Sequence, residues 1–356
     1  MRSTLIVIHR WVALTIGVVL IVTATSGAAL VFEGAIDRGL HPRLWHVTPA
    51  GKTLPFDSLV ARVEGLERSP VSSIAASSVR DRAWTLSAGS LTVFVDPYTG
   101  EIKGTRTAEE SLTTFSRRLH ILHVELFAGR RGRAVVGALC AIALFLVLTG
   151  ILLWWPDKLI GINTTGNWKR LNFDLHHALG ICAAIILIVI TASGVVIHYD
   201  GIGKMIRSMD AVPPPPPPTQ PSGPPTAQRL SFDTVAAVAR RALPGAEIMF
   251  MAAGGAKNPA VAAMRFPEDH TPGGRSRVYI DRLNGNVLSV VSTREAQIGT
   301  RIDNLKRSLH TGDVLGKPTE LIWFVATLVL VSQVITGALM WWNARAARKK
   351  ASVASA

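Results

Sequence analysis

The chain has 356 residues, 48% of them hydrophobic, and a formal net charge of +14. Its apolar residues are gathered into four long blocks, which excludes a protein folded wholly in water; the partner they imply is a lipid bilayer, and no nucleic acid partner is expected. Both cysteines, Cys140 and Cys182, lie inside apolar blocks and give no disulfide framework.

In chain order, the first predicted element is a transmembrane helix over 1–33, built on Trp11–Phe32. Arg2 precedes it and Ser26-Gly27-Ala28-Ala29 sits near its end, as in a cleaved signal peptide. The apolar run exceeds a signal core of about 7–15 residues, so it is read as a retained span. Residues 34–133 follow as a mixed α+β segment. In it VFVDPYTGEIKG, Val93–Gly104, alternates apolar residues about Asp-Pro-Tyr-Thr-Gly, the pattern of two strands joined by a Gly-containing turn. The second span is 134–156, on Ala134–Trp155, and a basic loop over 157–175 leads to the third, 176–200, on Ala178–Ile197. Residues 201–318 form a second mixed segment. It opens with VPPPPPPTQPSGPP, 212–225, a stiff polyproline spacer, and carries a second hairpin pattern in VYIDRLNGNVLS, Val278–Ser289. The fourth span, 319–343, is built on Leu321–Trp342, and a tail over 344–356 ends the chain. Each block has 20 to 22 residues without Lys, Arg, Asp or Glu. Such a helix rises about 30 Å, the thickness of the hydrocarbon layer.

Orientation follows from basic residues in short segments. The N-terminus, the 157–175 loop and the tail hold nine Lys and Arg against two acids. Both termini are therefore expected on the cytoplasmic side, although Arg130, Arg131 and Arg133 stand on the other. Trp154, Trp155, Trp341 and Trp342 read as an aromatic belt on the inner face.

The two halves share one plan. His9 stands 18 residues before Gly27 and His176 18 before Gly194, while His123 stands 27 before Gly150 and His310 27 before Gly337. Helix, α+β segment, helix thus occurs twice, as parallel repeats about an axis along the membrane normal.

Seven of the ten histidines lie within about one helical turn of a predicted membrane boundary. His9, His176 and His177 are on the inner side, and His120, His123, His198 and His310 on the outer. An imidazole is at ease in the interfacial zone, but the duplication pairs His9 with His176 and His123 with His310. Two equivalent imidazoles across a pseudo-twofold axis supply the axial ligands of a haem iron, and the small residues Gly17, Gly27, Gly137, Gly150, Gly180, Gly194 and Gly337 are candidates to make room for a flat ring. His177 aligns with Arg10 and His198 with Val31, so these and His120 are alternates to the four. Zinc, copper or iron held by protein ligands alone would want Cys, Asp or Glu in a compact set, and only Asp174 is near, as a candidate acceptor that orients an imidazole. A proton relay would want an acid within a block. His41, His46 and His270 read as surface histidines. No nucleophile, acid–base pair, flavin or nicotinamide fingerprint is present, and no catalytic residue is assigned.

The motifs IHRW…TATSG, VFVDPYTGEIKG and LTGILLWWP, repeated as DLHHALG…TASG, VYIDRLNGNV and ITGALMWW, resemble the PepSY-associated transmembrane family, which includes iron-regulated inner-membrane proteins and ferrisiderophore reductases. The resemblance covers nearly the whole chain. It implies a bacterial inner-membrane protein, two PepSY-like periplasmic domains, two b-type haems ligated by helix histidines at the positions of His9, His176, His123 and His310, and reduction of Fe(III)-siderophore in the periplasm. A quinol or a cytoplasmic reductase would supply electrons, and Arg117, Arg118, Arg130, Arg131 and Arg133 are candidates to attract an anionic chelate. A membrane scaffold or inhibitor without cofactor, and a metal or proton transporter, are the other readings of the same plan.

Overall fold

The computed structural model describes residues 2–107, 110–158, 160–221 and 230–354. In chain order the first part runs α1 (Arg2–Val31), α2 (Glu33–Leu40), α3 (Pro42–Trp45), α4 (Phe56–Glu67), β1 (Val71–Ala75), β2 (Trp84–Ala88), β3 (Leu91–Val95), β4 (Ile102–Thr107), α5 (Ser111–Glu125) and α6 (Gly129–Trp154). The second part runs α7 (Trp168–His198), α8 (Asp200–Arg207), α9 (Phe232–Ala242), β5 (Glu247–Ala252), β6 (Ala260–Arg265), β7 (Ser276–Ile280), β8 (Val287–Val291), α10 (Ile298–Thr311) and α11 (Lys317–Ala354). Contacts divide the chain into a helical unit (Met1–Phe32, Ser116–Lys204 and Lys306–Ala356) and a sheet unit (Glu33–Phe115 and Met205–Leu305).

Among the described residues, four helices of the helical unit are long and apolar enough to cross a membrane: α1, α6, α7 and α11. Each predicted span falls on one of them, but three helices outrun the spans expected for them. The third span, expected from 176, begins at Trp168, where the Asn167 side chain caps the helix by accepting from the Arg170 N–H at 3.0 Å. The fourth, expected over 319–343, runs from Lys317 to Ala354, because Ala, Arg and Lys of the tail are strong helix formers. The second starts at Gly129, so Arg130, Arg131 and Arg133 are helical, and Arg133 pairs with Glu125. An apolar run marks where lipid is met; backbone hydrogen bonding does not stop there.

Within the sheet unit the two mixed segments share one sheet. All eight strands pair antiparallel in the order β4-β3-β2-β1-β5-β6-β7-β8. The seam is β1 against β5, with Ile74 opposite Met251, extended by Ala76 N–H to Met249 O and Ala253 N–H to Ser72 O, both 3.0 Å. β2 and β7 alternate buried and half-buried residues, which puts one face of each on the core. There Leu59 and Val63 of α4, Val235 and Ala239 of α9, and Ile74, Leu86, Met251 and Val278 of the sheet form one cluster. α4 and α9 cap each other. The Asp233 carboxylate accepts from the Phe56 and Asp57 N–H groups at 2.8 and 3.1 Å, and Asp57 accepts from Phe232 N–H at 2.8 Å.

Both expected hairpins form, β3 with β4 and β7 with β8. In each turn the aspartate accepts from the N–H two residues on (Asp96 from Tyr98, Asp281 from Leu283), and the glycine, Gly100 or Gly285, takes a positive φ of 72° or 80°. Of the proline-rich stretch, residues up to 221 form no helix or strand, and Gln220 pins them by donating to Asp281 and accepting from Arg282 N–H. Its remainder, 222–225, lies outside the described residues.

Asp210, six per cent exposed, caps α10. It accepts from the Thr300 hydroxyl at 2.6 Å, the Thr300 N–H at 2.8 Å and the Gly299 N–H at 2.7 Å. The Thr300 hydroxyl and these N–H groups outweigh its burial and hold the carboxyl below the usual carboxylate range.

Candidate functional site

The four histidines that align between the halves occupy two levels of the helical unit. His9 and His176 lie near the starts of α1 and α7; His123 and His310, on α5 and α10, lie against the far ends of α1 and α7.

At the first level each ring is held by a neighbouring helix. His9 Nδ1 stands 2.8 Å from Thr149 Oγ1, and His176 Nδ1 stands 2.8 Å from Thr336 Oγ1. The Thr149 hydroxyl donates to Phe145 O at 2.8 Å, and that of Thr336 to Ser332 O at 2.7 Å. Their hydrogens are thus engaged by their own helices, so each oxygen accepts and each imidazole carries its proton on Nδ1. The next residues are Gly150 and Gly337. A Cβ on Gly150 would stand 3.8 Å from His9 Cε1, and one on Gly337 3.4 Å from His176 Cε1. Two residues that the sequence reading did not single out, Thr149 and Thr336, orient this level. The signal was present as a Thr-Gly pair at one distance from each far histidine.

At the second level backbone carbonyls take the place of the hydroxyls. His123 Nδ1 donates to Thr23 O at 2.8 Å and lies 3.5 Å from Ser26 Oγ; His310 Nδ1 donates to Ile190 O at 2.9 Å and lies 3.4 Å from Ser193 Oγ. A carbonyl can only accept, so these rings too are protonated at Nδ1, and in the neutral ring Nε2 is then the free base. Gly27 and Gly194 lie beneath them, where a Cβ would approach His123 Cε1 to 2.7 Å and His310 Cε1 to 3.2 Å. The two rings are neighbours, with centroids 6.1 Å apart and planes tilted by 41°.

That separation tests the fit of a haem. A nitrogen ligates a transition metal at about 2 Å, which puts the imidazole centroid roughly 3 Å from the metal. Two rings on opposite sides of one ion therefore have centroids about 6 Å apart, as here. All four aligned histidines offer the nitrogen that ligation requires, with the other held across a helix interface. The first level also borders a cavity of about 440 Å³ between α1, α6, α7 and α11, lined largely by apolar residues, into which His9, His176, Gly150 and Gly337 all open. This is the size and character of a cofactor site.

The three alternates are placed differently. His177 also borders the cavity, but its Nδ1 bonds Phe173 O of its own helix at 2.8 Å and its ring lies over Phe173, centroids 4.0 Å apart. His198 bonds Gly194 O within α7 at 3.1 Å, and His120 is exposed. Among the described residues, Asp174 makes no hydrogen bond to an imidazole. It accepts from Asn163 N–H at 3.0 Å and pairs with Arg170 at 2.9 Å, because the early start of α7 brings Arg170 one turn before it. Among the described residues, no group of three or more His, Cys, Asp or Glu side chains suits a metal held by protein alone.

No curated protein sequence matches the chain. The family model described as the PepSY-associated TM region matches residues 6–344, which takes in both mixed segments and every histidine discussed above. This membrane protein, with four candidate spans and an antiparallel sheet, belongs to the PepSY-associated TM family.

Proposed function

We propose that the protein carries electrons across a bacterial inner membrane with two b-type haems, and reduces siderophore-bound Fe(III) in the periplasm. The observation that carries this reading is the neighbouring pair His123 and His310, 6.1 Å between centroids, each with its Nδ1 proton donated to a carbonyl. His123 and His310 would hold one group and His9 and His176 the other; when bound, such a group would supply reversible one-electron chemistry. The chain's own work is positional. Thr149, Thr336 and the carbonyls of Thr23 and Ile190 set ring orientation, the glycines leave room for the imidazoles, and the largely apolar cavity walls suit a flat hydrophobic ligand.

Both termini are cytoplasmic in this reading, so the first histidine level is the inner one. The halves are parallel repeats, which accounts for matched contacts at both levels. Reduction takes one electron per Fe(III), from a quinol or a cytoplasmic reductase, and the Fe(II) product is held far more weakly by hard oxygen ligands. Exposed Arg117, Arg118, Arg130 and Arg131 would favour an anionic chelate.

Purified full-length protein is expected to show the Soret band of a six-coordinate haem that sharpens on reduction with dithionite. His9→Ala or His176→Ala should remove one haem, and His123→Ala or His310→Ala the other. Stopped-flow oxidation by a panel of Fe(III) chelates then reads the substrate. A colourless preparation from haem-replete cells would sink the reading and favour a scaffold.

A further inference from the structure

The cavity beside His9 and His176 is apolar except at a few points. Arg2 at its rim is paired with Asp157, and His177 is bonded to Phe173 O. Two lining side chains each bury an N–H without a partner among the described residues: Nε of Arg10 and Nε2 of Gln333. Arg10 is half-buried, directly follows His9, and its guanidinium stands 5.9 Å from the Trp11 ring. Gln333 lies one helical turn before Gly337, where the first half has Leu146. It fits because Gly180 has no side chain: a Cβ there would stand 2.9 Å from Gln333 Oε1. A buried donor without an acceptor is costly, and more so when it is charged. A ligand of this cavity should therefore be apolar over most of its surface and carry anionic oxygens at the edge nearest Arg10.

We infer that Arg10 receives the carboxylate edge of a porphyrin seated between His9 and His176, and so fixes which way round it sits. This rests on the two-haem reading and adds to it an anchoring residue that ligates nothing. Two features favour a carboxylate over lipid phosphate as the anion. Arg10 opens into the cavity that His9 lines, and the rim's other arginine, Arg2, already has a carboxylate in Asp157. A bidentate guanidinium–carboxylate contact is also directional in a way that a contact to mobile headgroups is not.

The test uses full-length protein in detergent, depleted of haem and titrated with haem b or with its dimethyl ester, in which both carboxylates are blocked. Binding is followed by the Soret band in a His123→Ala background, so that only the first level is read. Haem b should bind Arg10→Gln about tenfold or more weakly than the parent, with Arg10→Lys between, and the dimethyl ester should bind all three alike. Equal weakening of both porphyrins by Arg10→Gln would overturn the inference, since Arg10 would then act through the fold or the lipid. So would unchanged binding of haem b. If neither porphyrin binds the parent, the inference and the two-haem reading fail together, whereas binding that ignores Arg10 but is abolished by His9→Ala leaves the haem reading standing alone.

Discussion

Replacing the four glycines that lie against the histidines by alanine should have graded effects that follow from geometry. Ordinary contact begins at 3.4 Å, and an added Cβ would lie 2.7 Å from a histidine carbon at Gly27, 3.2 Å at Gly194, 3.4 Å at Gly337 and 3.8 Å at Gly150. The His123 ring must therefore yield by about 0.7 Å in Gly27→Ala, while His9 need not move in Gly150→Ala. At Gly194 the Cys140 sulfur, 2.9 Å away, adds to the crowding. Overpacking of this kind costs roughly 1–3 kcal/mol. Against it stands a gain of about 1 kcal/mol for alanine over glycine within a helix. Gly27→Ala should thus lose about 1 kcal/mol net, Gly194→Ala somewhat less, and Gly150→Ala should be neutral or gain. Thermal unfolding of the full chain in detergent, followed by tryptophan fluorescence, gives the order, and under the proposed two-haem function the Soret band of each variant reports ring placement separately. If Gly27→Ala and Gly150→Ala melt together, or Gly150→Ala is the worse, the close approach at Gly27 does not constrain His123 and the packing argument is wrong.

Other outcomes follow from contacts already described. Thr149→Val or Thr336→Val leaves an imidazole N–H without its acceptor and should loosen the first level by about 1–3 kcal/mol, seen under the proposed two-haem function as weaker haem retention there; Thr→Ser at the same positions should restore it. Asp57→Ala and Asp233→Ala each uncap the partner helix in the sheet unit and should each cost about 1 kcal/mol, measurable as faster amide exchange in the first turn of α9 or α4 respectively. Asp210 has a folded pKa below its unfolded value, near 3.9, so its contribution is full above that value and is lost as pH falls through the lowered folded one. Melts between pH 7 and 3 should show Asp210→Asn less stable at neutrality and converging on the parent in acid; parallel curves would remove Asp210 from the account.

Much of the fold was legible because lipid imposes a coarse rule: a block of about 20 apolar residues is a span wherever it occurs. Helix ends were not, since the turns at Trp168–Leu175 and after Trp342 are charged yet continue the same hydrogen-bond ladder. Both hairpins could be read from Asp and Gly at fixed offsets, which dictate a turn locally. The pairing of β1 with β5 could not, because nothing in VSSIA or EIMFMA names a partner 175 residues away. At the site, duplication separated His123 and His310 from His120 and His198, a choice that side-chain chemistry alone left open. It did not reveal Arg10 or Gln333, which break the repeat; only a cavity wall with buried, unpartnered nitrogens brings them forward.

The seam between β1 and β5 has a consequence for how the chain is made. Residues 71–75 leave the ribosome long before 247–252, and at about 5–20 residues per second the delay is roughly 9–35 s. Throughout that interval β2, β3 and β4 can close on β1, but its other side stays open, and α4 lacks the carboxylate of Asp233. An unpaired strand edge is an invitation to pair with a stranger. Biogenesis therefore needs a holding partner for the nascent first half, or crowding low enough that the wait is harmless. Overproduction should aggregate through that waiting edge before it strains anything in the bilayer.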